Sequence, residues 1–305
     1  QLPGYKVGDI SVDSQTIYTS KGLRQKSYEP EMYGVAGYDL LSRFVVELDY
    51  HRKIITFHQP ESFIYNGTGV VLDAPLKYRT FTLPVRLTNL PSGLWSLDLG
   101  AYRSSIHVPF ARQHDLLQKQ GVESVSQGMS GVIFERLCRF ESLTIGPYQL
   151  NQPIIAVANQ NATGAATRAE VNGNLGNETL RNFHLYLCYG KQQVIVEKSL
   201  DFGKELAMDR SGLLLGRSED DVPMVSFVSK QTPGARAGIL AGDRILSIQN
   251  RIIQPGDPVM PLRQLLRAAP GTTIQLQLER NGRSFSVDFQ LEELLPRTIP
   301  TNQHK

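Results

Sequence analysis

Apolar and polar positions alternate with a two-residue period along much of the first two hundred residues. Phe44-Val45-Val46-Glu47-Leu48-Asp49-Tyr50 and Lys53-Ile54-Ile55-Thr56-Phe57 are β-branched or aromatic runs, and His51-Arg52 between them reads as a tight connection. Tyr78 to Leu87 alternates as a further strand. Leu143-Thr144-Ile145-Gly146-Pro147-Tyr148-Gln149-Leu150 reads as strand, turn, strand. Helical periodicity is scarce. Phe110 to Gln120 is one candidate; Pro261 to Ala268 is another, with Pro at its start and Pro270-Gly271 past its end. The pattern predicts a mostly-β chain with a few short helices.

An internal repeat organises this region. Gly34-Val35-Ala36-Gly37-Tyr38-Asp39-Leu40-Leu41-Ser42-Arg43-Phe44 matches Gly173-Asn174-Leu175-Gly176-Asn177-Glu178-Thr179-Leu180-Arg181-Asn182-Phe183, 139 residues on. The offset persists through Tyr50 against Tyr189 and Ile55 against Val194, and Val7-Gly8 matches Ile145-Gly146 one residue out of step. The second copy has a front half of its own, from Thr80 to Ser142. The first has none, and the counterpart of Asp98 would fall about 40 residues before Gln1. The expectation is an N-terminally truncated chain or a natural half-repeat.

From Leu206 the pattern changes. Ser211 to Leu215, Met224 to Val228, Arg244 to Ile248 and Ile274 to Leu278 are apolar runs, and Asn281-Gly282 is a hairpin signal before Phe285 to Phe289. The expected units are residues 1–62, 75–200 and 206–295, with a linker between Asp201 and Asp209 and a frayed polar tail after Pro296.

Composition narrows the function little. The chain has 305 residues, 41% hydrophobic and 20% charged, with a net charge of +3. That length suits about two domains at ~150 residues each. So small an excess of charge gives no reason to expect a nucleic-acid partner. No apolar run reaches the ~18 residues of a membrane span. Cys138 and Cys188 are too few for a disulfide scaffold and are either one bridge or two buried thiols. The six histidines show no zinc-ligand spacing. Gly173-Asn174-Leu175-Gly176 lacks the Lys-Ser/Thr of a phosphate loop. Ser130 lacks the Gly-x-Ser-x-Gly setting of a hydrolase nucleophile. The reading needs neither cofactor nor metal.

Asp98 is the candidate for chemistry. It follows the apolar run Trp95-Ser96-Leu97 and precedes Leu99-Gly100-Ala101, so its carboxyl sits at a strand end before a sharp turn. Taken alone, an Asp-x-Gly after a strand reads as an Asx-turn residue. With the repeat, residues 1 to 200 resemble bacterial retropepsin-like aspartic proteases. Gly34 to Tyr50 and Gly173 to Val196 look like the closing segment of two lobes, and Asp98-Leu99-Gly100-Ala101 falls where that family carries Asp-Thr/Ser-Gly-Ala. Gln127-Gly128-Met129-Ser130-Gly131 falls where a flap hairpin is expected. The resemblance implies acid–base hydrolysis of a peptide bond by two carboxyls, Asp98 and a partner from a missing N-terminal segment or a second chain. Leu99 departs from the pattern, since it lacks the hydroxyl that holds the Asp turn across the lobes. No second Asp-Thr/Ser-Gly occurs. The alternative is a non-catalytic peptide-binding scaffold with a degenerate lobe.

Residues 212 to 295 resemble a bacterial PDZ domain through Thr232 to Arg251, Leu262 to Gly271 and Leu278 to Arg283. That resemblance implies a peptide C-terminus added as an extra strand, its carboxylate on the N–H groups of Gly212, Leu213 and Leu214, with Leu262 and Leu265 shaping the side-chain pocket. The expected core members are Leu215 and Leu266, and Ile245, Leu246 and Ile248 of a buried strand. Proteases of this type with PDZ units imply a protein or peptide substrate and an extracytoplasmic location, periplasmic or secreted.

Overall fold

The computed structural model describes residues 4–7, 10–13, 34–128 and 131–297. Gly8, Met129, Ser130, His304 and the tail from residue 298 lie outside the described residues. The chain is mostly β, and its strands fall where the period-two runs lie. Val45–Asp49 and Ile54–His58 form a hairpin, as do Phe183–Cys188 and Gln193–Lys198. Ser142–Ile145 pairs with Tyr148–Asn151 through the turn at Gly146-Pro147. The predicted helix at Phe110 is shorter than its apolar pattern. Val108–Gln113 is α-helical, then Asp115 turns left-handed (φ 55°) and only a 3-10 turn, Leu116–Gln118, follows. The helix expected from Pro261 starts earlier, at Val259, and runs to Leu265.

The repeat has the same shape in both copies. The helices Tyr38–Leu41 and Asn177–Leu180 are 139 residues apart, each entered from an extended glycine. Their hydrogen bonds correspond one for one: Leu40 and Leu41 donate to Gly37 O, as Thr179 and Leu180 donate to Gly176 O. Both hairpins share one register, with Val45 facing His58 and its counterpart His184 facing Glu197. Both turn through a left-handed residue, Lys53 (φ 59°) and Gln192 (φ 50°), again 139 apart.

The two hairpins then join edge to edge. Val45–Asp49 pairs antiparallel with Phe183–Cys188 inside a five-stranded sheet. Glu47 lies opposite its own counterpart Tyr186, Val46 opposite Leu187, and Leu48 opposite Leu185. A local two-fold axis therefore passes between Glu47 and Tyr186, and the contact is isologous in the manner of a symmetric dimer. Period-two alternation decides the faces. Val46, Leu48, Leu185 and Leu187 point into the main core with Phe44, Trp95 and Phe183. The other face carries Val45, Cys188 and Ile195 under Phe63 and Tyr65.

The front half of the second copy builds a larger sheet. Its path runs 122–128, 131–139, 154–158, 105–106, 173–175, 93–97, 80–87, 142–145 and 148–151. A second core holds residues 213 to 291, around Leu215, Val225, Ile245, Leu262 and Leu278. Ile248 is buried there too, whereas Leu246 is only half-buried, because the register with Thr273–Arg280 shifts between Ile245 and Ser247 and the irregularity breaks the alternation. Both residues of the Asn281-Gly282 turn have positive φ (52° and 74°), as a type I′ hairpin requires. The two regions meet where Arg139 donates to Leu295 O at 3.0 and 2.8 Å, and where Ser229 Oγ donates to Glu123 O at 2.6 Å.

Candidate functional site

The Asp98 turn is held by the closing segment of its own copy. Gly173–Leu175 is wedged between two strands, parallel to Gly93–Leu97 and antiparallel to Ser105–Ile106. That wedge needs glycine at its exit, because a Cβ on Gly176 would lie 2.3 Å from Arg103 O. Asp98 N–H donates to Leu175 O at 3.0 Å as the strand ends. The chain then folds back, with Gly100 N–H on Asp98 Oδ1 at 3.0 Å and Ala101 N–H on Asp98 O at 3.3 Å. One carboxyl oxygen thus makes an Asx-turn, while the other accepts from the Asn174 side-chain amide at 3.2 Å. The carboxyl is half-buried.

Leu99 packs against the main core, so this residue anchors the turn by apolar contact rather than by a hydroxyl. The polar brace comes from Asn177, whose side-chain amide donates to Leu99 O at 2.8 Å and Ala101 O at 2.9 Å. Asn177 Oδ1 in turn accepts from the Tyr50 hydroxyl at 2.5 Å, across from the first copy. Burial raises the Tyr50 phenol well above its usual pKa, so it stays a donor. The symmetry-related pair is Tyr189 and Tyr38, whose rings meet edge-on with centroids 5.7 Å apart. The same cross-copy contact is polar beside Asp98 and aromatic at the other end.

Behind Asn174 lies His107. Its Nε2 is 3.2 Å from Asn174 Oδ1 and its Nδ1 is 3.3 Å from Arg168 O. Burial lowers its pKa, so the neutral ring is favoured. Asn174, Asn177, His107 and Tyr50 were not candidates from sequence. The available signal was the difference between the copies: Asn174 and Asn177 stand where the first copy has Val35 and Tyr38.

Gly128 and Gly131 face each other across the hairpin formed by Val122–Gly128 and Gly131–Arg139. The hairpin forms one edge of the large sheet, and Val132 and Phe134 are exposed on it. Cys138 and Cys188 are two free, buried thiols. Among the described residues no group of three His, Cys, Asp or Glu side chains is placed to hold a metal.

Among the described residues the first copy shows no corresponding setting: a Cβ on Gly34 or Gly37 would meet no atom within 4 Å, and Val35 is 66% exposed.

In the C-terminal unit, Leu213–Arg217 is an edge strand of its sheet, beside the helix Val259–Leu265. Gly212 has φ +77°, which only glycine adopts cheaply, and opens this strand. Leu213, Leu215, Leu262 and Leu266 are all buried in the core, whereas Leu214 is half-buried and Leu265 is 37% exposed. Leu262 is fully buried beneath the helix Val259–Leu265. The N–H groups of Gly212 and Leu213, expected to be open to a ligand, are already bonded within the chain, to Asp209 Oδ1 at 2.7 Å and Ser211 Oγ at 3.0 Å. Burial raises the Asp209 carboxyl above its usual pKa, against the lowering effect of these N–H bonds.

No curated protein sequence matches the chain. Among solved structures, a retropepsin-like aspartic protease from Rickettsia conorii is 15% identical over 44% of this chain and 96% of its own, with a TM-score of 0.30. The HtrA-type protease AlgW with a decapeptide is 14% identical over 72% of this chain and 73% of its own, with a TM-score of 0.27. An aminopeptidase N family protein from Idiomarina loihiensis is 20% identical over 30% of this chain, with a TM-score of 0.25, and this chain spans only 15% of it. Scores this low decide neither fold nor activity. The family comparison is specific to one region: residues 206–291 match the PDZ domain model, and this part of the chain is a PDZ domain.

Proposed function

We propose that this chain carries one catalytic carboxyl of an aspartic-type endopeptidase, Asp98, together with a PDZ module that docks protein or peptide substrate. The observation that carries the reading is the pair of equivalent segments. Gly173–Leu175 holds the Asp98 turn between two strands, whereas among the described residues a Cβ on its repeat mate Gly34, or on Gly37, would meet no neighbour within 4 Å. On this reading a second Asp-bearing front half, from a further segment of the parent protein or from another chain, packs against the first copy as residues 80–142 pack against the second, and brings a second carboxyl. Like charges sharing a site do not both ionise, so the pair holds one proton. The ionised carboxyl takes a proton from water as it attacks the scissile carbonyl, and the protonated one gives its proton to the carbonyl oxygen. The hairpin tip around Gly128 and Gly131 acts as the flap that excludes water. Residues 1–62, 75–200 and 206–295 are then a partial lobe, a full lobe and the PDZ unit, working outside the cytoplasm.

Leu99 favours a second reading, a peptide-binding scaffold whose lobe has lost catalysis, since the turn has a core-packed side chain where the family has a hydroxyl. Cleavage of denatured casein at acidic pH separates the two. The peptidase reading expects cleavage that a pepstatin-type inhibitor blocks and Asp98→Asn abolishes. Unchanged cleavage in that variant removes Asp98 from the mechanism. Peptide binding without any cleavage establishes the scaffold.

A further inference from the structure

Asp98, the Asn174 amide, the His107 ring and the Arg168 carbonyl form one row of polar groups. Asn174 Nδ2 is 3.2 Å from Asp98 Oδ2, His107 Nε2 is 3.2 Å from Asn174 Oδ1, and His107 Nδ1 is 3.3 Å from Arg168 O. The ends of such a row decide which way its hydrogens point. An ionised carboxyl only accepts, so it takes the Nδ2 side of the amide. That turns Asn174 Oδ1 toward the ring, and this oxygen also only accepts. Arg168 O at the far end is another acceptor, and so is the Val171 carbonyl beside the ring. A neutral imidazole has one N–H to share among them. A second proton would serve both nitrogens. The ring is 1% exposed, however, so burial works against its charged form, and the Arg168 guanidinium opposes it as well.

The neutral ring therefore has two arrangements. In the first, Nε2–H donates to Asn174 Oδ1, Asn174 Nδ2–H donates to an ionised Asp98, and Arg168 O receives no proton from Nδ1. In the second, Nδ1–H donates to Arg168 O and Nε2 becomes an acceptor. The Asn174 amide must then turn over to give Nε2 its Nδ2–H. Its Oδ1 now faces Asp98, where it accepts from a carboxylic acid and repels a carboxylate. The net difference is one proton, gained at Asp98, while the imidazole keeps a single proton in both. The second arrangement matches all three contacts of the row and the first matches two. The row belongs to the second copy alone, since Val35 stands at the place of Asn174 in the first.

We propose that His107 is a positioning residue for Asp98: the Asn174 amide turns over with the charge of the Asp98 carboxyl, and the imidazole answers by carrying its proton on Nε2 or on Nδ1. This rests on the reading of Asp98 as an acid–base group and supplies what that group needs. A charged Asp98 finds a donor, and a protonated one finds an acceptor, at the same atom position.

The test reads the His107 tautomer by imidazole nitrogen NMR, on the whole chain with isotope-labelled histidine at neutral pH. The His107 signals are assigned by their loss in His107→Gln. Expected is Nε2–H in the parent chain. Asp98→Ala should give Nδ1–H, because no carboxylate then holds the amide and the bond to Arg168 O is the one gained. Asn174→Val, which installs the first copy's residue, should give Nδ1–H with or without Asp98. Unchanged signals from the other histidines are the control that each variant is folded. One tautomer shared by the parent and Asp98→Ala overturns the proposal, as does a switch that survives Asn174→Val, or a parent ring that carries both protons. Casein cleavage by the same preparations reports separately on Asp98 as a catalytic group. A tautomer switch without cleavage upholds the row and removes the peptidase reading; cleavage without the switch does the reverse.

Discussion

Tyr50 reaches from the end of one hairpin to Asn177 at the start of the other copy's helix, and its hydroxyl donates to Asn177 Oδ1 at 2.5 Å. Through the Asn177 amide this bond fixes the carbonyls of Leu99 and Ala101, the two residues that flank Gly100 in the Asp98 turn. The first copy thus steadies the candidate catalytic residue of the second. Tyr50→Phe leaves a half-buried amide oxygen without its donor, a loss of about 1–2 kcal/mol. Urea unfolding should show a lower midpoint with an unchanged slope. A midpoint equal to the parent's means the brace does not hold the turn.

Glycine substitutions should separate the two copies. A Cβ on Gly176 would overlap Arg103 O, whereas one on Gly37 meets no described residue within 4 Å. Both residues have ordinary negative φ, −92° and −113°, so backbone strain does not enter. Gly176→Ala should cost about 2 kcal/mol or more, as overpacking against backbone does, and Gly37→Ala should be close to neutral. If a second front half docks on the first copy, Gly37→Ala becomes damaging once that segment or chain is supplied. Equal behaviour of Gly37→Ala in both states would count against this side of the first copy being a docking site.

Acid should weaken the fold in two steps. His107 has a lowered pKa because it is buried, so the unfolded chain binds its proton first as pH falls. Its contribution is complete above its ordinary value of 6.5 and is lost as pH drops through the lowered one. Glu47 follows. Burial alone would raise its carboxyl, but hydrogen bonds from His58 at 2.6 Å and His184 at 2.8 Å outweigh that and lower it. Its contribution is present above 4.5 and is lost below. Stability measured against pH in His107→Gln should lose the upper step and keep the lower. An upper step that survives assigns that slope to another group.

The cysteines should be inert in the native state. Burial pushes the Cys138 thiol up to about 11 and also raises Cys188, so little thiolate is present near neutrality. Iodoacetamide should modify both only after denaturation, and mass spectrometry should find no bridge between them. Rapid native alkylation of Cys138 would contradict its burial.

Period-two alternation and the 139-residue repeat were legible in the chain because both are local. A strand's faces follow from which side chains alternate, and two copies of one pattern fold to one local shape, as the matching helices, registers and left-handed turn residues show. The PDZ unit was legible for the same reason, its apolar runs and turn residues being consecutive. Asp98-Leu99-Gly100 could be read only as a strand end with a turn. The residues that give the turn its setting lie about 50 to 80 positions away in sequence, and no periodicity links Tyr50, Asn174 or Asn177 to it. Tertiary structure decided that the two hairpins pair edge to edge about Glu47 and Tyr186, which brings Tyr50 to Asn177. It also decided that Asp209 takes the Gly212 N–H, since a side chain and a ligand compete for one donor and only geometry shows which is already there.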